Sequence, residues 1–205
     1  MKLKVPFFKA LKKWRGTGRC GPIALCSILK YYKIKFDLID VAEKSGTNLK
    51  GATGPMGLAY YCLSKNMGVF FVREKKSFND NSKDFSSRLR KFFATFGNKK
   101  IDAEFSAKCN KFSNYSFIQK KPSLVLLKKF LEEGKPVLIY FNVAVILKVN
   151  KLAPHYVVVT GFDKKNIFVH NIFPKNNAFQ KIPVKTFLAA WYSDGLPREM
   201  VIPFK

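Results

Sequence analysis

The sequence predicts an α+β fold, and three observations predict it. Apolar residues recur at helical spacing through the first third of the chain. Near-continuous apolar runs of strand length dominate the last third. A turn signal, Asp163-Lys164-Lys165-Asn166, separates two of those runs and makes them a hairpin. Helices first and strands second give an N-terminal helical part packed on a C-terminal antiparallel β-sheet. At 205 residues the chain reads as a single domain, 1–205, long enough to bury a core.

The elements follow in order. In residues 1–17, basic throughout, Phe7, Phe8, Leu11 and Trp14 fall at helical spacing and predict a short helix packed on the domain. A membrane-surface role is the alternative for such a segment. Cys20-Gly21-Pro22 then opens a helix carrying Ile23, Ala24, Leu25, Ile28, Leu29 and Tyr32. Pro22 has a fixed φ and no N–H, which suits a first helical turn. Asp37 is an N-cap for a second short helix over 37–43. The Gly-rich loop 46–54 lacks the GxxxxGK[ST] order of a phosphate loop, so it marks no nucleotide site. A third helix runs from about Pro55 to Asn66, Gly68 breaks it, and Val69–Val72 is a strand.

From about 73 to 121 the composition shifts to Lys, Asn and Ser, with Phe85, Leu89, Phe92, Phe93 and Phe96 predicting one amphipathic helix. Ser123 starts the next helix and Gly134 ends it. Strands follow at 136–143, 155–162 and 167–171. A terminal helix is predicted over Ile182–Trp191 and a last strand over Met200–Phe204.

Composition narrows the function. The chain carries 38 Lys and Arg against 13 Asp and Glu, a formal charge of +25. Such an excess favours anionic partners: nucleic acid, anionic lipid or an acidic protein. No nucleic-acid motif accompanies it. Four cysteines that are not spaced as CxxC pairs and two histidines do not make a zinc pattern or a disulfide framework, and no cofactor is expected. The N-terminus has basic residues but no apolar run of signal-peptide length, and no stretch is long enough to span a membrane. The expected location is the reducing cytoplasm.

The chemistry centres on Cys20. A cysteine at a helix N-terminus meets unpaired N–H groups and the positive dipole end, which stabilise a thiolate. Cys26, Cys62 and Cys109 read as ordinary small hydrophobes. A cysteine nucleophile needs a base, and His155 and His170 are the two histidines available. His155 opens a buried strand. The returning strand supplies a group to orient its ring: Asn171 if the hairpin loop is odd in length, His170 if it is even, because side chains alternate along a strand. The sequence leaves both registers open.

The chain resembles the C39-like (bacteriocin-processing type) cysteine peptidases. The likeness rests on Cys20-Gly21-Pro22-Ile23-Ala24-Leu25 with Lys30-Tyr31-Tyr32, Gly51-Ala52-Thr53 and Gly57-Leu58-Ala59 at the front. At the back it rests on Gly134-Lys135-Pro136-Val137, His155-Tyr156-Val157-Val158-Val159-Thr160-Gly161-Phe162-Asp163 and Phe187-Leu188-Ala189-Ala190-Trp191. Residues 73–121 fall outside it. The resemblance implies a papain-like fold, with Cys20 as nucleophile, His155 as general base and acid, and Asn171 where the family has an orienting Asp. Cys-His-Asn is the papain-like arrangement. The family's oxyanion-hole Gln lies six residues before the cysteine. Here that position is Trp14, whose indole N–H is a donor, with the Cys20 backbone N–H as the second.

The expected function is therefore a stand-alone thiol hydrolase acting on a peptide or protein substrate through a Cys20 thioester. Acyl transfer from the same thioester is one alternative. A catalytically weakened peptidase fold that binds an acidic partner through the basic surface is the other, since a fold alone does not license a function.

Overall fold

A computed structural model describes residues 1–10, 19–47, 52–74, 99–193 and 196–205. Trp14, Gly51 and the helix predicted around Phe85–Phe96 lie outside the described residues. Residues 1–10 are extended, so the helix predicted there is not formed in this part. Leu3 N–H donates to Thr160 O at 2.7 Å and Phe162 N–H to Met1 O at 2.9 Å. A strand takes the backbone groups that a helix would have paired internally.

Three helices follow: α1 (Cys20–Tyr31), α2 (Leu38–Lys44) and α3 (Pro55–Ser64). Asp37 caps α2 as expected, its carboxylate accepting from Ile39 N–H at 2.8 Å and Asp40 N–H at 3.1 Å. The chain then forms β1 (Gly68–Arg73), α4 (Lys99–Cys109) and β2 (Tyr115–Gln119). The cap of α3 comes from outside the helix. Gly54 has no side chain to offer, and Asp102 of α4 packs so closely on it that a Cβ would meet the carboxylate. Asp102 accepts from Met56 N–H in the first turn of α3.

The second half comprises α5 (Leu124–Glu132), β3 (Val137–Asn142), α6 (Val143–Ile146), β4 (Pro154–Phe162), β5 (Asn166–Asn171), β6 (Asn177–Pro183), α7 (Val184–Trp191) and β7 (Glu199–Phe204). Ser123 caps α5 through Leu126 N–H. The predicted terminal helix starts two residues late, because Ile182 and Pro183 pair with β5 as the end of β6. Among the described residues the sheet has seven strands in the order β2-β1-β7-β3-β4-β5-β6. β1 and β2 run parallel and the other pairs antiparallel. One face buries its apolar side chains with α1, α2 and α3, the other with α5 and α7. The class is the expected α+β one.

The β4–β5 register positions the site. Phe162 pairs with Ile167 and Gly161 with Phe168, across a four-residue connection. An even loop on its own would put His170 on the face of His155. Thr160 is an extra residue, however, and beyond it Val159 pairs with Val169 and Val158 with His170. The bulge moves the register by one, so His170 turns to the face of Val158 and Asn171 to the face of His155.

Candidate active site

Cys20 is the first residue of α1, behind Arg19, whose side chain makes no capping bond. Gly21 lets this turn approach the sheet: a Cβ there would lie 3.2 Å from Leu58 Cδ1 and 3.3 Å from Tyr156 Cδ2. The approach brings Cys20 Sγ to the start of β4, where Tyr156 N–H donates to it at 3.4 Å. His155 precedes Tyr156 by one peptide. Its ring is buried beside Phe141 and Phe173, with centroids 6.3 and 6.0 Å away.

His155 Nε2 lies 2.9 Å from Asn171 Oδ1. The same oxygen accepts from Phe173 N–H at 3.0 Å, and Asn171 Nδ2 donates to Gln180 Oε1 at 2.9 Å. A backbone N–H can only donate, so the Asn171 oxygen must face Phe173 and His155. His155 therefore carries its proton on Nε2, and in the neutral ring the lone pair is on Nδ1. The structure places Asn171 against the His155 ring and Cys20 Sγ against the backbone N–H of the next residue, Tyr156. Trp14 lies outside the described residues.

Electrostatics depart from the sequence expectation. Burial pushes the Cys20 thiol up, although the N–H groups of Tyr156, Gly21 and Cys20 favour the thiolate. Desolvation outweighs the helix terminus here. Burial also pushes His155 down to about 4, against the smaller upward pull of Asn171. Each group on its own prefers its neutral form, the thiol and the imidazole alike.

His170, the other candidate, goes elsewhere. Its Nε2–H donates to Val5 O at 2.8 Å and its Nδ1 accepts from Phe179 N–H at 3.2 Å. Cys26, Cys62 and Cys109 are buried free thiols, and Cys109 donates to Met56 O at 3.7 Å. Gln180 is the partner that sequence reading missed: its strand, β6, alternates too weakly to be seen. Among the described residues no three His, Cys, Asp or Glu side chains gather as a metal site requires, and no helix is long and apolar enough to cross a membrane.

The Peptidase_C39 like family matches residues 2–196. The chain belongs to that family. Solved structures of similar fold include a double glycine motif protease from an AMS/PCAT transporter, bound to a leader peptide. The two share 15% identity at a TM-score of 0.54, over 99% of this chain and 93% of that one. A C39-like peptidase from Bacillus anthracis is 17% identical with a TM-score of 0.52, covering 100% and 98%. The peptidase domain of Streptococcus ComA, a bifunctional ABC transporter in quorum sensing, is 14% identical with a TM-score of 0.54, covering 99% and 97%. At such identities the likeness shows the fold. No curated protein sequence matches the chain. Family and fold make this C39-like protein cysteine peptidase-like.

Proposed function

We propose that this C39-like protein is a cysteine peptidase that cleaves a peptide bond through a Cys20 thioester. The observation that carries the reading is the linked pair of contacts, His155 Nε2–H to Asn171 Oδ1 and Tyr156 N–H to Cys20 Sγ. The first holds the imidazole with its proton on Nε2, which leaves the Nδ1 lone pair as the base. The second holds the sulfur one peptide away.

Because both groups rest neutral, the thiol proton passes to His155 Nδ1 as Sγ attacks the acyl carbon. The imidazolium returns that proton to the leaving amine, and a thioester remains. Water then attacks the thioester carbonyl while His155 Nδ1 takes its proton. Cys20 leaves as the thiolate, which regains the proton, and the carboxylic acid product departs. The Cys20 backbone N–H and the Trp14 indole N–H are the proposed donors to the oxyanion. Losing one such donor costs ~10²–10³ in rate. The leader peptide held by the AMS/PCAT protease supports a peptide substrate for this chain as well. Free cysteines among the described residues fit operation in a reducing cytoplasm.

Cys20 is half-buried while the other three cysteines are buried, so limiting iodoacetamide reads it selectively. Mass spectrometry of the labelled protein at pH 7 is expected to show Cys20 modified, at least tenfold more slowly in His155→Ala. A peptide-library digest is expected to show cleavage by the wild type and none by Cys20→Ser. Equal labelling rates with no cleavage would sink the peptidase reading and favour a binding module.

A further inference from the structure

The mechanism leaves His170 unused, yet its ring is held on both nitrogens. Nε2–H donates to Val5 O, in the extended N-terminal segment, at 2.8 Å. Nδ1 accepts from Phe179 N–H at 3.2 Å. Both partners are backbone groups, so the tautomer is fixed: a doubly protonated ring would turn a donor toward Phe179 N–H. The ring also packs edge-on to Phe179, with centroids 4.5 Å apart, and beside Phe7 at 5.1 Å.

Phe179 needs this support. Its φ is +51°, a left-handed conformation that a bulky residue seldom adopts. The β5–β6 register is irregular at the same place, between Val169 and Asn171. Gln180 follows Phe179 directly, and its Oε1 takes the Asn171 amide proton at 2.9 Å. Asn171 in turn holds His155 Nε2. A continuous path therefore runs from His170 through the Phe179–Gln180 backbone to Asn171 and the His155 ring.

We propose that His170 is a positioning residue: by fixing the Phe179 turn it aims Gln180 at Asn171, and so holds His155 in one tautomer and orientation. The proposal deepens the reading of His155 as the base, but the geometry it asserts does not require peptidase activity. Lys2 brings a positive charge to this turn, its Nζ 4.8 Å from the Phe179 ring centroid.

The chain has two histidines, so imidazole NMR of the intact protein resolves both, and one signal remains when His170 is replaced. In the wild type His155 is expected as the single Nε2–H tautomer, not titrating until strongly acid pH. His170→Phe keeps a ring but removes the acceptor. His155 is then expected to lose its fixed tautomer and to titrate about one unit or more closer to the ordinary ~6.5. His170→Asn keeps an acceptor near the Nδ1 position and loses the reach to Val5, so it is expected to behave as wild type. Gln180→Ala, on the edge strand, should reproduce the His170→Phe effect, and decides the matter if His170→Phe does not fold.

Two outcomes overturn the proposal. An unchanged His155 tautomer and titration in His170→Phe or Gln180→Ala would show that the path carries no restraint. Equal perturbation in His170→Asn and His170→Phe would assign the effect to Val5. A wild type without peptidase activity that shows the expected NMR shifts would reject the proposed function and leave this inference standing.

Discussion

His155 Nε2 meets Asn171 Oδ1 at 2.9 Å across two strands whose register is offset by one bulged residue, Thr160. The bulge is held from both sides. Thr160 Oγ1 donates to Phe168 O at 3.2 Å, and Thr160 O accepts from Leu3 N–H at 2.7 Å. Gly161, next to it, pairs with Lys2 of the N-terminal segment. The N-terminal segment thus lies against the residue that decides which side chain reaches the imidazole.

Gly161→Ala tests that arrangement. A Cβ at this position would come 2.5 Å from Met1 O and 2.7 Å from Lys2 Cα, both backbone atoms, so the segment must move. Overpacking of this kind costs about 1–3 kcal/mol. The urea midpoint is expected to fall accordingly, with Cys20 alkylation slowed as the bulge loosens. An unchanged midpoint would show that the segment shifts freely.

Asn171→Asp adds the charge that the family places at this position. The carboxylate still accepts from His155 Nε2–H and Phe173 N–H, and Gln180 can turn its amide to donate. A negative charge beside the ring favours the imidazolium. His155 is expected to titrate above its value of about 4, and Cys20 to react faster with iodoacetamide at pH 6. Asn171→Ala goes the other way. It leaves His155 Nε2–H and Phe173 N–H without this acceptor, at about 1–3 kcal/mol each, or roughly 5–150-fold in rate if the cost at His155 falls on the transition state. NMR titration and labelling rates check both.

The hairpin and its two candidate faces were legible because Tyr156–Phe162 and Ile167–Val169 are apolar on both sides of a clear turn. The choice between His170 and Asn171 was not, because β4 is buried on both faces, so no apolar–polar alternation shows where the extra residue, Thr160, sits. β6 escaped notice for a different reason. As the sheet edge it buries only Ile182, and Asn-Ala-Phe-Gln-Lys looks like loop. β2, at the opposite edge, is partly exposed throughout. Phe7 and Phe8 imitated a helical stripe because both faces of the extended segment meet aromatic neighbours, His170 on one and Phe36 on the other. The helix terminus at Cys20 was legible. The depth of burial that overrides its effect on the thiol depends on β4 and could not be read from the helix alone.

Asp102 and Glu199 form a second pH-sensitive feature beneath the same sheet. Burial raises each to about 7, against the pull of Arg73, and the Asp102 charge raises Glu199 further. Arg73 and Glu199 are cross-strand partners. A carboxyl held above its unfolded value stabilises the fold at low pH, and the contribution is lost as pH rises through about 7. Asp102→Asn keeps an acceptor for Met56 N–H and removes one of the two buried charges. Relative to wild type it is expected to lose less stability as pH rises from about 4 to about 7, the interval between the unfolded and folded values, and to lower the Glu199 pKa. Urea melts at the two pH values check this; a slope as steep as wild type would mean the cluster is hydrated.

His155 works in the opposite direction, so it must be isolated by difference. Its folded value is about 4 and its unfolded value ~6.5. Between those limits the unfolded chain binds more protons, and stability rises with pH. The contribution of His155 is therefore complete above pH 6.5 and lost as pH falls toward 4. Integrated over the interval it is about 3 kcal/mol. His155→Gln removes the titration while keeping a donor for Asn171 Oδ1. The difference in unfolding free energy, wild type minus variant, is expected to shrink steadily from pH 7 to pH 4 by roughly that amount. Urea denaturation at half-unit intervals measures it. A difference independent of pH would mean that the imidazole is solvated in the folded protein, and that the neutral thiol–imidazole resting pair is wrong.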